Sequence, residues 1–204
     1  MCAPYTEVMT VELNRESTAL VLVDIQNDFC EGGALGVEGG TEVARRVADF
    51  VTEHRDDYAR IVATADWHID PGDHFSDNPD FVNTWPVHCV AGTDGAAFHP
   101  EVKPAIDVVD AVFRKGEYEA AYSGFEGHLA DDESAMLADW LRAEGIRSIV
   151  VCGIATDHCV RATVLDGRDE DFAVRVLVDL VAGVDENRSA EALQEMNAAG
   201  AELS

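Results

Sequence analysis

Hydrophobic and polar positions along this chain fall into short continuous apolar runs that alternate with stretches of helical period. Thr18 to Val23 is an apolar run of strand length, and Thr41 to Arg55 carries Val43, Val47, Phe50 and Val51 at helical spacing, with Thr41 placed to cap it. A second strand is predicted near Arg60 to Ala65 and a third over Asp107 to Arg114. Between them Asp66 to Pro104, rich in Gly, Pro, Asp, Asn and His, reads as a long loop interrupted by short helices. Unstructured stretches of that length in compact domains tend to carry function. A second loop spans Gly116 to Leu129. Then follow a helix over Asp132 to Glu144 ended by Gly145, a strand over Ser148 to Cys152 and a helix over Thr156 to Arg168. A strand over Ala173 to Val178, a helix over Arg188 to Ala199 and a last short strand complete the pattern. Alternation of this kind predicts an α/β fold of three layers, with a mostly parallel six-stranded sheet and helices on both faces. The length suits a single domain over residues 1–204.

In such sheets functional groups gather outside the carboxyl ends of the strands. Asp24 closes the first strand, Asp66 and His68 follow the second, Lys115 follows the third, and Cys159 opens the helix after the fourth. Thr156 or Asp157 can cap that helix, which puts Cys159 in its first turn, where the dipole favours the thiolate. The plain alternative is a buried apolar thiol, the reading given to Cys152. His158 cannot serve as the base, because successive helical residues diverge. Asp24 ends an apolar run, so desolvation raises its pKa towards a useful general base, while Asp28 has the stronger claim to a structural role. Lys115, in a chain whose one other lysine is Lys103, could stabilise a thiolate from between a carboxylate and a thiol. Asp66, His68, His74 and His88 offer one carboxylate and three imidazoles, a set that suits zinc, iron or manganese. Cys89, beside His88, competes as a ligand.

Composition narrows the partners. Apolar residues at 47% and charged residues at 26% are ordinary for a globular chain, but 14 basic against 40 acidic side chains give a formal net charge of −26. A surface so negative repels phosphates and anionic lipid, so no nucleic acid and no membrane is expected as a partner. A neutral or cationic small molecule is expected instead. No apolar stretch approaches the roughly 20 residues of a membrane span, and Met1 to Glu7 show no export signal. Five cysteines (Cys2, Cys30, Cys89, Cys152, Cys159) without CxxC spacing fit free thiols in a reducing cytoplasm.

Eight stretches carry a resemblance: Val23-Asp-Ile-Gln-Asn-Asp-Phe29, Glu31-Gly-Gly-Ala-Leu35, Ala65-Asp-Trp-His68, Gly72-Asp-His-Phe-Ser76, Trp85-Pro-Val-His-Cys89, Phe113-Arg-Lys-Gly116, Tyr122-Ser-Gly-Phe-Glu-Gly127 and Gly153-Ile-Ala-Thr-Asp-His-Cys-Val160. In order and over most of the chain, they resemble the nicotinamidase/pyrazinamidase branch of the isochorismatase-like cysteine hydrolases. The resemblance implies a catalytic triad of Asp24, Lys115 and Cys159. It also implies a divalent metal, zinc before iron or manganese, on Asp66, His68, His74 and His88, with no organic cofactor. It implies substrate contacts at Phe29, Trp85, Tyr122 and Ile154, and a cis peptide between Ile154 and Ala155 that aims the N–H groups of Ala155 and Cys159 at an oxyanion. The implied reaction is cysteine-dependent hydrolysis of nicotinamide, and of pyrazinamide, in cytoplasmic NAD salvage, with a homo-oligomer left open. A superfamily amidase acting on carbamoyl or ureide compounds, an isochorismatase and a non-catalytic metal-binding regulator are the alternatives. The histidine trio and the neutrality of nicotinamide beside so acidic a protein favour the nicotinamidase branch.

Overall fold

The computed structural model describes residues 14–204, so Cys2 and the first residues of the expected domain lie outside the described part. The chain runs β1 (Thr18–Val23), α1 (Gly40–His54), β2 (Arg60–Asp66), α2 (Lys103–Ile106), β3 (Ala111–Lys115), β4 (His128–Leu129) and β5 (Asp132–Met136). It continues through α3 (Leu137–Ala143), β6 (Ser148–Ile154), α4 (Arg161–Asp169), β7 (Ala173–Ala182), α5 (Glu186–Ala198) and β8 (Glu202–Leu203). The strands form one sheet in the order β5-β4-β3-β2-β1-β6-β7-β8. All pairings are parallel except those of β4 with β3 and with β5.

The apolar runs are continuous because the central strands are covered on both faces. Leu20 and Leu22 of β1, Ile61 and Ala63 of β2, and Val150 and Cys152 of β6 face one layer with Val43, Val47 and Val51 of α1. Their neighbours Ala19, Val21, Val62, Ile149 and Val151 face the other, with Leu137 and Leu141 of α3, Val164 of α4 and Met196 of α5. Alternation of side chains along each strand divides one run between two cores.

The sheet has eight strands rather than six, because β4 and β5 form an antiparallel hairpin at one edge. A helix is expected from Asp132, but it begins at Leu137. Asp132 instead accepts hydrogen bonds from the Ser134 N–H at 3.0 Å and the Ser134 hydroxyl at 2.7 Å, local bonding that competes with a helix. The third strand likewise starts at Ala111 and not at Asp107, since Asp107 and Val108 close turns onto Lys103 and Ala105. The expected helix over Thr156–Arg168 opens with a single π-turn, in which Val160 N–H reaches the Ala155 carbonyl at 3.0 Å, before α4 begins. Cys30, Cys89, Cys152 and Cys159 are free and buried. Among the described residues no helix is long and apolar enough to cross a membrane.

Thr41 is not the cap of α1. The N-cap is Gly39, which has no side chain to offer, and the carboxylate of Glu31 does that work from eight residues upstream. Its oxygens accept the N–H groups of Gly39 and Thr41, each at 2.7 Å. The Thr41 hydroxyl and these N–H groups lower the Glu31 pKa from 4.5 to about 2. A depressed carboxylate stabilises the fold fully above its unfolded pKa and ceases to do so as pH falls through the folded value. Glu31→Ala is therefore expected to lower unfolding stability at pH 7 by roughly 1 kcal/mol, solvent screening included. In urea titrations, the gap from wild type should shrink as pH falls from 4.5 to about 2.

Candidate active site

Lys115, Asp66, Asp24 and Cys159 stand at or just past the carboxyl ends of β3, β2, β1 and β6, four consecutive strands of the sheet. Asp66 and Lys115 are direct partners in the β2–β3 register. The chain leaves β1 at Asp24 with a left-handed φ of 47°. Close contact between the ends of β1 and β6 needs Gly153, at φ 122°, since a Cβ there would run into the backbone of Val23.

The resulting polar cluster is almost wholly buried, with Lys115 only 1% exposed. The Lys115 ammonium lies 3.0 Å from Asp24 Oδ2, donates to Asp66 Oδ1 and to the Ala121 carbonyl, and sits 3.6 Å from Cys159 Sγ. Thr64 donates its hydroxyl to Asp24 Oδ1 at 2.7 Å. Gln26 holds Asp66 in place from the backbone side, accepting its N–H at 2.9 Å and donating to its carbonyl at 2.9 Å.

The two carboxylates around this one ammonium are driven apart. Burial pushes the Asp24 pKa up, and the attraction of Lys115 does not cancel it. Burial acts on Asp66 too, but Lys115 and contacts from His68 and His88 outweigh it and hold that carboxyl well below the usual range. Burial would discharge Lys115, yet Asp24 and Asp66 keep its pKa well above the ordinary lysine value. The expectation of a resting thiolate at Cys159 is corrected. Burial, helped by the two aspartates, raises its pKa well above that of a free cysteine despite Lys115. Neither Thr156 nor Asp157 caps the turn, and Asp157 accepts instead from the N–H groups of Val184 at 2.9 Å and Asp185 at 3.2 Å.

Beside this cluster, one donor atom from each of His68, His74 and His88 lies within 4.8 Å of the others. His68 Nδ1 meets the Gly116 carbonyl at 2.5 Å and His88 Nδ1 meets the Pro86 carbonyl at 2.8 Å, so each ring donates outward and turns the Nε2 lone pair inward. Gly116, at φ 74°, makes room, for a Cβ there would approach His68 Cε1 to 2.6 Å. His68 Nε2 and His74 Nδ1 are buried without a hydrogen-bond partner, and burial lowers the His74 pKa to about 4. Asp66 Oδ2 completes the set at 3.6 Å from His68 Nε2 and 3.8 Å from His88 Nε2. Three imidazoles around a carboxylate, two of them with a buried nitrogen that has no partner, fit a divalent cation. Cys89 is not in this group; its N–H donates to Asp28 Oδ2 at 2.7 Å, which gives Asp28 its structural role.

A cavity of about 280 Å³ joins the two clusters and is lined by Asp66, His74 and His88 together with Cys159 and Ala155. Phe29, Trp85 and Tyr122 line it as expected, and Trp85 Nε1 donates to the Tyr122 hydroxyl at 2.9 Å. The Ile154–Ala155 peptide is cis. Ile154 does not meet its expectation: its side chain is fully buried in the core on the α1 side, against Gly40, and not in the cavity wall. His158, set aside as a base, does reach the wall, stacked on Tyr122 at 6.1 Å and edge-on to Trp85 at 5.0 Å. Thr64 and Gln26 were not singled out in the sequence. A lone hydroxyl two positions before Asp66, inside a strand covered on both faces, was the available signal for Thr64.

The isochorismatase domain family matches residues 18–204. A nicotinamidase/pyrazinamidase of Mycobacterium tuberculosis is 52% identical over 185 residues, covering 91% of this chain and 97% of the relative. The crystal structure of a Pyrococcus horikoshii pyrazinamidase in complex with zinc superposes with a TM-score of 0.75 at 36% identity, covering 92% of this chain and 98% of that one. A Leishmania infantum relative solved in complex with nicotinate gives 0.78 at 32% identity, covering 95% of each chain. Since that family's pattern spans the chain from Thr18 to its last residue, the chain belongs to the isochorismatase domain family.

Proposed function

We propose that this protein is a nicotinamidase, hydrolysing nicotinamide to nicotinate and ammonia, and pyrazinamide to pyrazinoate, through a thioester on Cys159. The reading rests on one observation: a thiol 3.6 Å from a buried ammonium belongs to a cavity that Asp66, His74 and His88 also line. The similarity to the M. tuberculosis enzyme supports the substrate class. Asp66, His68, His74 and His88 would hold the metal, zinc as in the Pyrococcus relative. When bound, it supplies a Lewis acid for the lone pair of a ring nitrogen. The buried free thiols favour a reducing cytoplasm as the place of action.

The residues divide the labour by charge. Phe29, Trp85 and Tyr122 offer flat faces that bury and orient a heteroaromatic ring, and fixing the carboxamide near the thiol lowers the barrier by several kcal/mol. Asp24, its pKa raised by burial, takes the Cys159 proton as Sγ bonds to the carboxamide carbon. Lys115 stays protonated and offsets the charge on sulfur. The oxyanion meets the N–H groups of Ala155 and Cys159, where one such donor is worth about 3 to 4 kcal/mol. The C–N bond breaks as Asp24 returns its proton to the leaving nitrogen, which departs as ammonia. A water then gives a proton to Asp24 and its oxygen attacks the thioester carbon; the C–S bond breaks and the thiol regains its proton. Asp66, held anionic, keeps Lys115 charged throughout.

Cys159→Ala should abolish ammonia release from nicotinamide while zinc content, measured by elemental analysis, stays at the wild-type level; surviving turnover would exclude the thioester. Dialysis against a chelator should raise KM for nicotinamide more than it lowers kcat, with zinc restoring both. The Thr64 hydroxyl lowers the Asp24 pKa, so Thr64→Val should raise it further. A base works only when deprotonated, so the acid limb of kcat/KM against pH should move to higher pH in that variant.

A further inference from the structure

The mouth of the cavity is built from short segments held by local hydrogen bonds. Its rim is apolar, with Phe81 51% exposed and Val184 47% exposed, yet both line the cavity. Each rim segment is tied down by an aspartate that accepts its backbone N–H groups. Asp28 Oδ1 takes Ala34 N–H at 3.2 Å, and Asp157 Oδ1 takes that of Val184 at 2.9 Å. At the third segment Asp80 Oδ1 accepts from the N–H groups of Val82, Asn83 and Thr84 at 2.9, 2.8 and 2.9 Å.

This turn holds Phe81 at a φ of 57°, a left-handed conformation that a bulky residue rarely takes without such support. Its ring stands edge-on to Trp85, with centroids 6.2 Å apart. The loop that carries it is closed at its base, where Ser76 N–H donates to the Trp85 carbonyl at 2.9 Å and Trp85 N–H donates to that of His74 at 2.8 Å. One loop therefore contributes an imidazole at its root, an aromatic wall at its return and a half-exposed phenyl at its tip. A phenyl fixed in water at the entrance of an aromatic-walled cavity loses little by meeting a flat ring and resists anything wider.

The geometry points to Phe81 as a specificity-determining residue that limits the entrance to single rings, with Asp80 as its positioning residue. This inference rests on the aromatic amide reading of the cavity given above. Its test is calorimetric titration in the Cys159→Ala background, where no turnover intervenes, with nicotinamide and with quinoline-3-carboxamide, which fuses a second ring to the pyridine.

Nicotinamide should bind the tighter of the two. Phe81→Ala should weaken nicotinamide binding and narrow the ratio of the two Kd values by about tenfold, the scale on which pocket shape discriminates. Asp80→Ala should shift the ratio the same way. Asp80→Asn, whose Oδ1 still accepts the three N–H groups, should keep it within about twofold of the Asp80 protein. A ratio unmoved by Phe81→Ala, or no binding of nicotinamide in the Cys159→Ala background, overturns the inference. Absence of ammonia from nicotinamide with the wild type, while the Kd ratio still moves, would sink the hydrolysis and leave the entrance filter standing.

Discussion

A single ammonium, that of Lys115, holds the site together. Burying it costs several kcal/mol unless opposite charge meets it at close range, and removing one partner from such a set is more damaging than the set is stabilising. Asp66 at the end of β2 and Asp24 just past β1, the next two strands on one side of β3, supply that charge, and the Ala121 carbonyl accepts a further bond. Because the strands lie β3-β2-β1-β6, the lysine can reach both carboxylates and the thiol only if the central sheet is correctly registered. The energetic demand of one buried charge thus fixes the relative positions of four segments.

The same ammonium explains why two chemically identical carboxyl groups behave differently. Asp66 shares its oxygens between Lys115 and the imidazole cage, so its anion is stabilised from two sides. Asp24 has Lys115 and one hydroxyl against complete burial, and is left closer to protonation. Environments that separate the pKa values of paired acids assign their roles. Here they leave one aspartate as a fixed charge and the other as a carrier of protons.

The central strands and the groups at their ends were legible in the sequence because doubly buried strands write themselves as continuous apolar runs, and Asp24, Asp66 and Lys115 interrupt those runs with charge. Less legible were features set by contacts distant in sequence or by local hydrogen bonding. The β4–β5 hairpin has the composition of a helix start and is decided by edge pairing. The cap on α1 comes from Glu31, whose reach across the Gly-rich turn no spacing rule contains. Cys159 looks like a first-turn helical thiol by position, yet burial and the two nearby aspartates raise its pKa and favour the thiol. Ile154, expected to contact substrate, packs into the core on the α1 side, while His158, set aside as a base, lines the cavity.

Asp24 and Cys159 follow neighbouring strands of the sheet although nearly the whole of the chain's middle separates them. β1 lies between β2 and β6, and β6 can dock beside it only after it has been synthesised. A ribosome therefore releases the last member of the site late, and until then the emerging polypeptide has no pocket with which to engage a metabolite. Competence arrives in one step with the closing of the sheet, so partly made chains neither consume substrate nor shelter it.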